Sequence, residues 1–203
     1  MNVALIDYGA GNLTSVIKGL ETVGATVNLV SNPAAIEQAP AIVIPGVGHF
    51  SATASLGRAP WLAAIKGAIA RGVPLLGICL GLQWLFDGSA ESPETAGLGL
   101  IPGRCFRLEG DVKVPHVGWN TLERTARPSR LLADVPDGAS AYFTHSYAAP
   151  TVDATVATTT HAMSFSAAVE RDLVFGVQFH PEKSGTTGLT MLANFMRVAA
   201  EAR

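Results

Sequence analysis

Cysteine is scarce in this chain of 203 residues: Cys79 and Cys105 are the two present, too few for a disulfide framework, and a reducing compartment keeps both as thiols. Charge is scarce too. Lys and Arg number 14 against 16 Asp and Glu, a formal net charge of -2, so there is no basic surface to attract nucleic acid. Apolar runs stay short of the roughly 18 residues that cross a bilayer, and residues 1–7 read as a strand, not a signal peptide. No membrane association is expected, and the cytoplasm is the expected location. Neither a C-x-x-C pair nor an H-x-x-x-H pair occurs among the two cysteines and five histidines, which argues against a metal site. Hydrophobic residues make up 48% of the chain, which excludes disorder and suffices for one domain spanning residues 1–203.

Residues 3–7, 26–30, 42–45 and 75–78 are short apolar runs, and residues 12–24 and 60–71 between them carry helical spacing. That alternation predicts a parallel sheet. Leu13, Val16, Ile17, Leu20 and Val23 recur at spacings of three and four, giving one face to bury, and Gly24 caps the helix. After Phe86 the chain changes to glycine and proline punctuation around runs at 141–147, 167–171 and 174–179, expected to be antiparallel or mixed. Residues 154–166 are expected to form a β-hairpin, residues 124–137 a surface loop around a short helix, and Thr186 begins a last helix. The expected fold is α/β: a three-layer, mostly parallel central sheet flanked by helices, with an additional antiparallel or mixed β region.

In Pro74-Leu-Leu-Gly-Ile-Cys79-Leu-Gly-Leu-Gln83 an apolar strand runs into a cysteine, and a helical pattern starts directly after it. This is the context of a nucleophile elbow, with Gly77 and Gly81 leaving room for the sharp turn. An ordinary thiol titrates near 8.5, and lowering that by ~2 units takes about 2.7 kcal/mol, whereas a helix N-terminus typically supplies ~0.3 to 1 kcal/mol. The helix alone falls short, so a histidine is required. By its own neighbours Cys79 reads equally well as a buried structural cysteine, and Cys105, without a glycine elbow, reads as structural.

Val174-Phe-Gly-Val-Gln-Phe-His180-Pro-Glu182 ends a strand with a histidine and a carboxylate two positions on. Residues i and i+2 of an extended chain point the same way, and Pro181 biases His180 toward extended backbone, so Glu182 is expected to orient the imidazole. The alternative is a capped histidine at a strand end. His49, His116, His145 and His161 lack such a carboxylate and read as structural or interface residues. Ile42-Val-Ile-Pro-Gly46-Val47-Gly48 is a strand running into a glycine turn. Such a turn can aim backbone N–H groups of Val47 and Gly48 at a developing oxyanion, the N–H of Leu80 supplying the other half; an ordinary turn is the plain alternative.

Pro45-Gly-Val-Gly48, Gly77-Ile-Cys-Leu-Gly-Leu-Gln83 and Phe179-His-Pro-Glu-Lys-Ser184, in this order, resemble the class I glutamine amidotransferases. Asp7-Tyr-Gly-Ala-Gly-Asn-Leu13, Pro115-His-Val-Gly-Trp-Asn120 and Tyr142-Phe-Thr-His-Ser-Tyr147 narrow the resemblance to the glutaminase subunits of imidazole glycerol phosphate synthases, over almost the whole chain. Leu82 stands where that family is expected to carry methionine, a volume-conserving exchange. The resemblance implies Cys79, His180 and Glu182 as catalytic residues, and Gly46, Gly48, Gln83, Ser146 and Tyr147 as substrate-binding ones. It implies a heterodimer with a (β/α)8-barrel cyclase subunit, touched through Asn12, Trp119, Asn120 and Lys183, and no cofactor. A subunit feeding pyridoxal phosphate synthase would share the triad but lack residues 115–120. A regulatory module would have replaced the cysteine or histidine, and a free-standing cysteine hydrolase would be separated by its turnover of peptide instead of glutamine.

Overall fold

A computed structural model describes residues 1–202 of the protein. Its first half builds β1 (Asn2–Ile6), α1 (Leu13–Thr22), β2 (Thr26–Val30), β3 (Ile42–Ile44), α2 (Ala59–Ala70), β4 (Leu75–Ile78) and α3 (Leu80–Trp84). The second half is mostly strands: β5 (Gly88–Ser89), β6 (Ser92–Ala96), β7 (Arg104–Arg107), β8 (His116–Thr121), β9 (Glu123–Arg124), β10 (Ser140–His145) and β11 (Tyr147–Ala148). Then come β12 (Thr155–His161), β13 (Met163–Arg171), β14 (Val174–Val177) and the closing helix α4 (Gly185–Glu201). Among the described residues no helix is long and apolar enough to cross a membrane.

The central sheet has eight strands in the order β2-β1-β3-β4-β14-β13-β12-β9. From β2 to β14 neighbours run parallel, and from β14 to β9 antiparallel. Strand periodicity separates the two faces. Val3, Leu5, Val43 and Leu76 join one apolar cluster with Val16 and Leu20 of α1 and Leu192 and Phe195 of α4. Ala4, Ile6, Ile42, Ile44 and Leu75 join another with Ile65 and Ala68 of α2 and Leu82 and Trp84 of α3. Three layers result, and the strands read as continuous apolar runs because both their faces are covered.

Two expectations need correction. The short helix within residues 124–137 does not form: residues 131–134 make a turn, with Asp134 at a φ of 59°. The Glu170 carboxylate on β13 takes hydrogen bonds from Ser129 Oγ (2.7 Å), the Arg130 backbone N–H (3.0 Å) and Arg130 Nε (2.9 Å), tying the start of the turn to the sheet. Pro136 has no N–H with which to extend the turn. Nor is the segment all surface, since Leu131, Leu132 and Val135 are buried. The strand expected at 141–147 is also broken: β10 pairs with β8 up to His145, and β11 pairs with β7 from Tyr147. The chain changes sheets at Ser146, and that break turns residues 144–147 toward the carboxyl ends of β3, β4 and β14, where open α/β sheets place their ligands.

Candidate active site

Cys79 follows β4 directly, at a φ of 53° and ψ of -105°, as the cap of α3. Holding a residue other than glycine there costs about 1–3 kcal/mol and persists only where the surroundings enforce it. Here they do. A Cβ on Gly77 would lie 2.6 Å from the Gly81 carbonyl oxygen, and one on Gly81 would run into the carbonyl of Ile44, so the first turn of α3 packs backbone to backbone on β3 and β4. The Cys79 N–H donates to Val177 O at 2.7 Å, tying the elbow to β14.

His180 lies three residues past the end of β14. Its Nδ1–H donates to Glu182 Oε1 at 2.8 Å, with the two side chains 2% and 1% exposed. Glu182 reaches the ring by the 3-10 turn Pro181–Lys183 and not by an extended i, i+2 register. The turn packs against α1, where a Cβ on Gly19 would sit 3.1 Å from that of Glu182. The His180 backbone is held by Tyr142 O, which accepts from its N–H (2.9 Å), and by Ser184 Oγ, which donates to its carbonyl (2.6 Å). Ser184 Oγ also accepts from Tyr142 N at 2.9 Å, a positioning role that Ser184's place in the motif did not disclose.

The other ring nitrogen, Nε2, is buried without a hydrogen-bond partner. Burial pulls the His180 pKa down, but the Cys79 sulfur and the Glu182 carboxylate outweigh it and raise the value to about 10. At neutral pH the ring is therefore an imidazolium beside the sulfur, ready to deliver a proton.

A pocket of about 350 Å³ opens over Cys79, lined by Val47, Gly48, Leu80, Gln83, Glu91, Pro115 and residues 144–147. It brings together Cys79, the three expected oxyanion residues and four of the five expected substrate residues. Gly46 stands behind the wall: a Cβ there would lie 2.5 Å from the Tyr8 hydroxyl and 2.6 Å from Leu80 Cβ. The same hydroxyl donates to Pro45 O at 2.8 Å and so steadies the strand entering the loop. Gln83 spends its amide protons on Tyr147 O (2.8 Å) and Gln178 Oε1 (3.2 Å), leaving its own carbonyl oxygen for a ligand. Gln178 Nε2 donates to Cys79 Sγ at 3.6 Å.

Glu91, Gln178 and His145 were not singled out as site residues from the sequence. Glu91 is fixed from outside its own segment, Oε2 accepting from Phe50 N at 2.8 Å. His145 lines the pocket and belongs to a chain of bonds that sets its tautomer. Its Nδ1–H donates to Tyr147 O (3.0 Å), so its Nε2 accepts from His116 Nδ1–H (3.3 Å), and His116 Nε2 accepts from Asn120 Nδ2 (3.3 Å). Burial pushes the His145 pKa down to about 3 and that of His116 to about 4, and each ring's neighbouring imidazoles add to the effect. Both are neutral at physiological pH. His161 stacks on His116 with centroids 4.1 Å apart, and His49 caps the turn at Ser51. Cys105 is buried and its thiol pKa is raised by that burial, as befits a structural cysteine.

Of the expected interface residues, Asn12 and Lys183 are exposed, and Asn120 joins the histidine chain. Trp119 is 58% exposed while its ring edge packs on Tyr142, with centroids 6.0 Å apart, beside the segment that carries His180. Such a half-seated aromatic is common at interfaces. Among the described residues no cluster of three His, Cys, Asp or Glu is arranged to hold a metal ion.

A family model, glutamine amidotransferase class-I, matches residues 4–199. Imidazole glycerol phosphate synthase subunit HisH of Moorella thermoacetica is 47% identical over 196 residues, covering 95% of this chain and 93% of that protein. The subunit of the same name from Microcystis aeruginosa is 49% identical over 201 residues, covering 96% and 94%. Among solved structures, PurLQS from Thermotoga maritima superposes with a TM-score of 0.77 at 19% identity, covering 97% of this chain and 98% of that one. The glutaminase domain of Trypanosoma brucei CTPS with bound acivicin gives 0.71 at 17% identity, covering 99% and 94%. At such identities the two structures speak for the fold alone.

Proposed function

The chain belongs to the class-I glutamine amidotransferases, and on that footing we propose that it is the glutaminase subunit of imidazole glycerol phosphate synthase. The observation that carries the chemistry is the strained Cys79 on the floor of the pocket, with the buried His180–Glu182 pair against it. The identity to HisH subunits over nearly the whole chain favours this synthase over one that makes pyridoxal phosphate.

The substrate is glutamine. Its α-ammonium is met by the free carbonyl of Gln83 and the carboxylate of Glu91, and its α-carboxylate by the backbone at Ser146 and Tyr147. The Cys79 sulfur attacks the side-chain amide carbon, and the oxygen takes up negative charge facing the N–H groups of Val47 or Gly48 and of Leu80. His180 Nε2 protonates the departing nitrogen as the C–N bond breaks, leaving a γ-glutamyl thioester and ammonia. Water then loses a proton to His180 and attacks the thioester, expelling the Cys79 thiolate and releasing glutamate. Glu182 holds the Nδ1–H tautomer throughout.

Ammonia released into bulk water would be protonated and lost, so the pocket has to discharge into a partner. That partner is the (β/α)8-barrel cyclase, docked over Asn12, Trp119, Asn120 and Lys183, which uses ammonia to form imidazole glycerol phosphate and aminoimidazole carboxamide ribonucleotide. Glutamate release by the isolated chain is expected to be slow and to rise on adding the cyclase with its nucleotide ligand. Equal turnover in both conditions would contradict the dependence on a partner.

A further inference from the structure

Gln178 is fully buried two residues before His180, and its carboxamide makes none of the backbone contacts by which a buried glutamine usually serves a fold. Its Oε1 accepts from Gln83 Nε2 at 3.2 Å, and its Nε2 donates to Cys79 Sγ at 3.6 Å. The Gln83 bond fixes which end of the amide faces the sulfur, because Gln83 can only donate there. Every polar atom of the side chain is thus directed at the nucleophile or at a residue of the substrate pocket. His180 Nε2 faces the sulfur and is charged by it without closing a hydrogen bond, and the hydrogen bond formed at the sulfur comes from Gln178.

We propose that Gln178 is a fourth catalytic group of the glutaminase reaction: its side-chain N–H stabilises the Cys79 thiolate, as attacking group and again as leaving group, and links the sulfur through Gln83 to the substrate pocket. The proposal rests on Cys79 being the nucleophile. In the first half the sulfur carries its charge until the C–S bond forms. In the second the C–S bond of the tetrahedral adduct breaks and its electron pair returns to sulfur, where the same N–H receives it. A carboxamide does not titrate, so it complements a histidine whose proton is needed elsewhere in both steps.

The test is the pH profile of Cys79 alkylation by iodoacetamide, read on the Cys79 peptide by mass spectrometry, in the full chain and in Gln178→Glu and Gln178→Met. Met removes both bonds at similar volume and is the deciding variant; Glu is isosteric and still accepts from Gln83 but sets a carboxylate against the sulfur in place of the N–H, so it marks the upper limit of the effect. The Met variant is expected to react about tenfold more slowly than wild type near pH 7 and to match it above pH 10, a profile displaced upward by about one unit, and the Glu variant to be displaced at least as far. A merely structural glutamine would lower the melting temperature and leave the profile in place. A folded Met variant whose profile superimposes on wild type overturns the role of Gln178. Wild-type Cys79 that is neither alkylated below pH 8 nor protected by glutamine overturns the nucleophile reading itself.

Discussion

Lowering the pH from 7 to 5 should destabilise this protein through His145 and His116 specifically. Both are held neutral, with pKa values pushed down to about 3 and 4 by burial and neighbouring imidazoles, whereas in the unfolded chain each titrates near 6.5. Between pH 6.5 and 4 the unfolded state therefore binds more protons, and stability falls with pH. Integrating over the two units gives about 2 kcal/mol for His145. About 1 kcal/mol is a fair figure for His116, which lies under the partly exposed His161 and is more easily reached by water. His180 acts in the opposite sense: its pKa is raised to about 10, so its contribution is full below 6.5 and declines as pH rises toward 10, returning roughly 0.8 kcal/mol on the way down to pH 5. The net loss from these three is about 2 kcal/mol, a large part of a typical 5–15 kcal/mol stability. Urea titrations at both pH values would read it as a midpoint lowered by about 1 M. The decisive comparison is His145→Gln, whose acid loss should be smaller than wild type by about 2 kcal/mol. An identical loss in the variant would refute the assignment of a buried neutral imidazole at this position.

Glu182→Gln removes the carboxylate charge that stabilises the His180 imidazolium and offers an amide N–H that favours the wrong tautomer, and cyclase-coupled glutamate release is expected to fall by a factor of about 10² to 10⁴ with KM little changed. Gly81→Ala forces a methyl into the Ile44 carbonyl and should cost about 1–3 kcal/mol by thermal melting, whereas a Cβ on Gly57 meets nothing closer than 3.6 Å and Gly57→Ala should melt near wild type. Glu170→Ala deprives Ser129, Arg130 and the turn that follows of their common acceptor and is expected to cost about 2 kcal/mol in urea unfolding with the glutaminase rate unchanged.

What the sequence disclosed and what it hid divide along a physical line. Leu75–Ile78 coincides with its predicted span because its apolar run is fixed by burial on both faces, and the edge strand Thr26–Val30, mostly exposed, because Gly24 before it and Pro33 after it bound its short β-branched run, both local patterns. The elbow was legible because a turn that tight needs Gly77 and Gly81 within two residues of the cysteine. Gln178, Glu91, Tyr8 and His145 were hidden because their partners, Cys79, Phe50, Pro45 and His116, come from distant segments and nothing in the local pattern marks them. The reach of Glu182 to His180 was anticipated, but by the wrong geometry: a 3-10 turn started by Pro181 makes the contact, and an i, i+2 spacing looks the same on paper for a turn and for a strand. Residues 131–135 misled for the opposite reason, since Leu131, Leu132 and Val135 lie among polar and proline neighbours yet fill the core beneath α4.

The central claim is that Cys79 releases the ammonia that a separate cyclase consumes. It is tested most directly by assembling Cys79→Ala with the cyclase and nucleotide substrate and measuring imidazole glycerol phosphate formation from glutamine and, separately, from ammonium salts. Synthesis from glutamine is expected to be abolished while synthesis from ammonium persists at the wild-type rate. Glutamine-dependent synthesis that survives the substitution would contradict it.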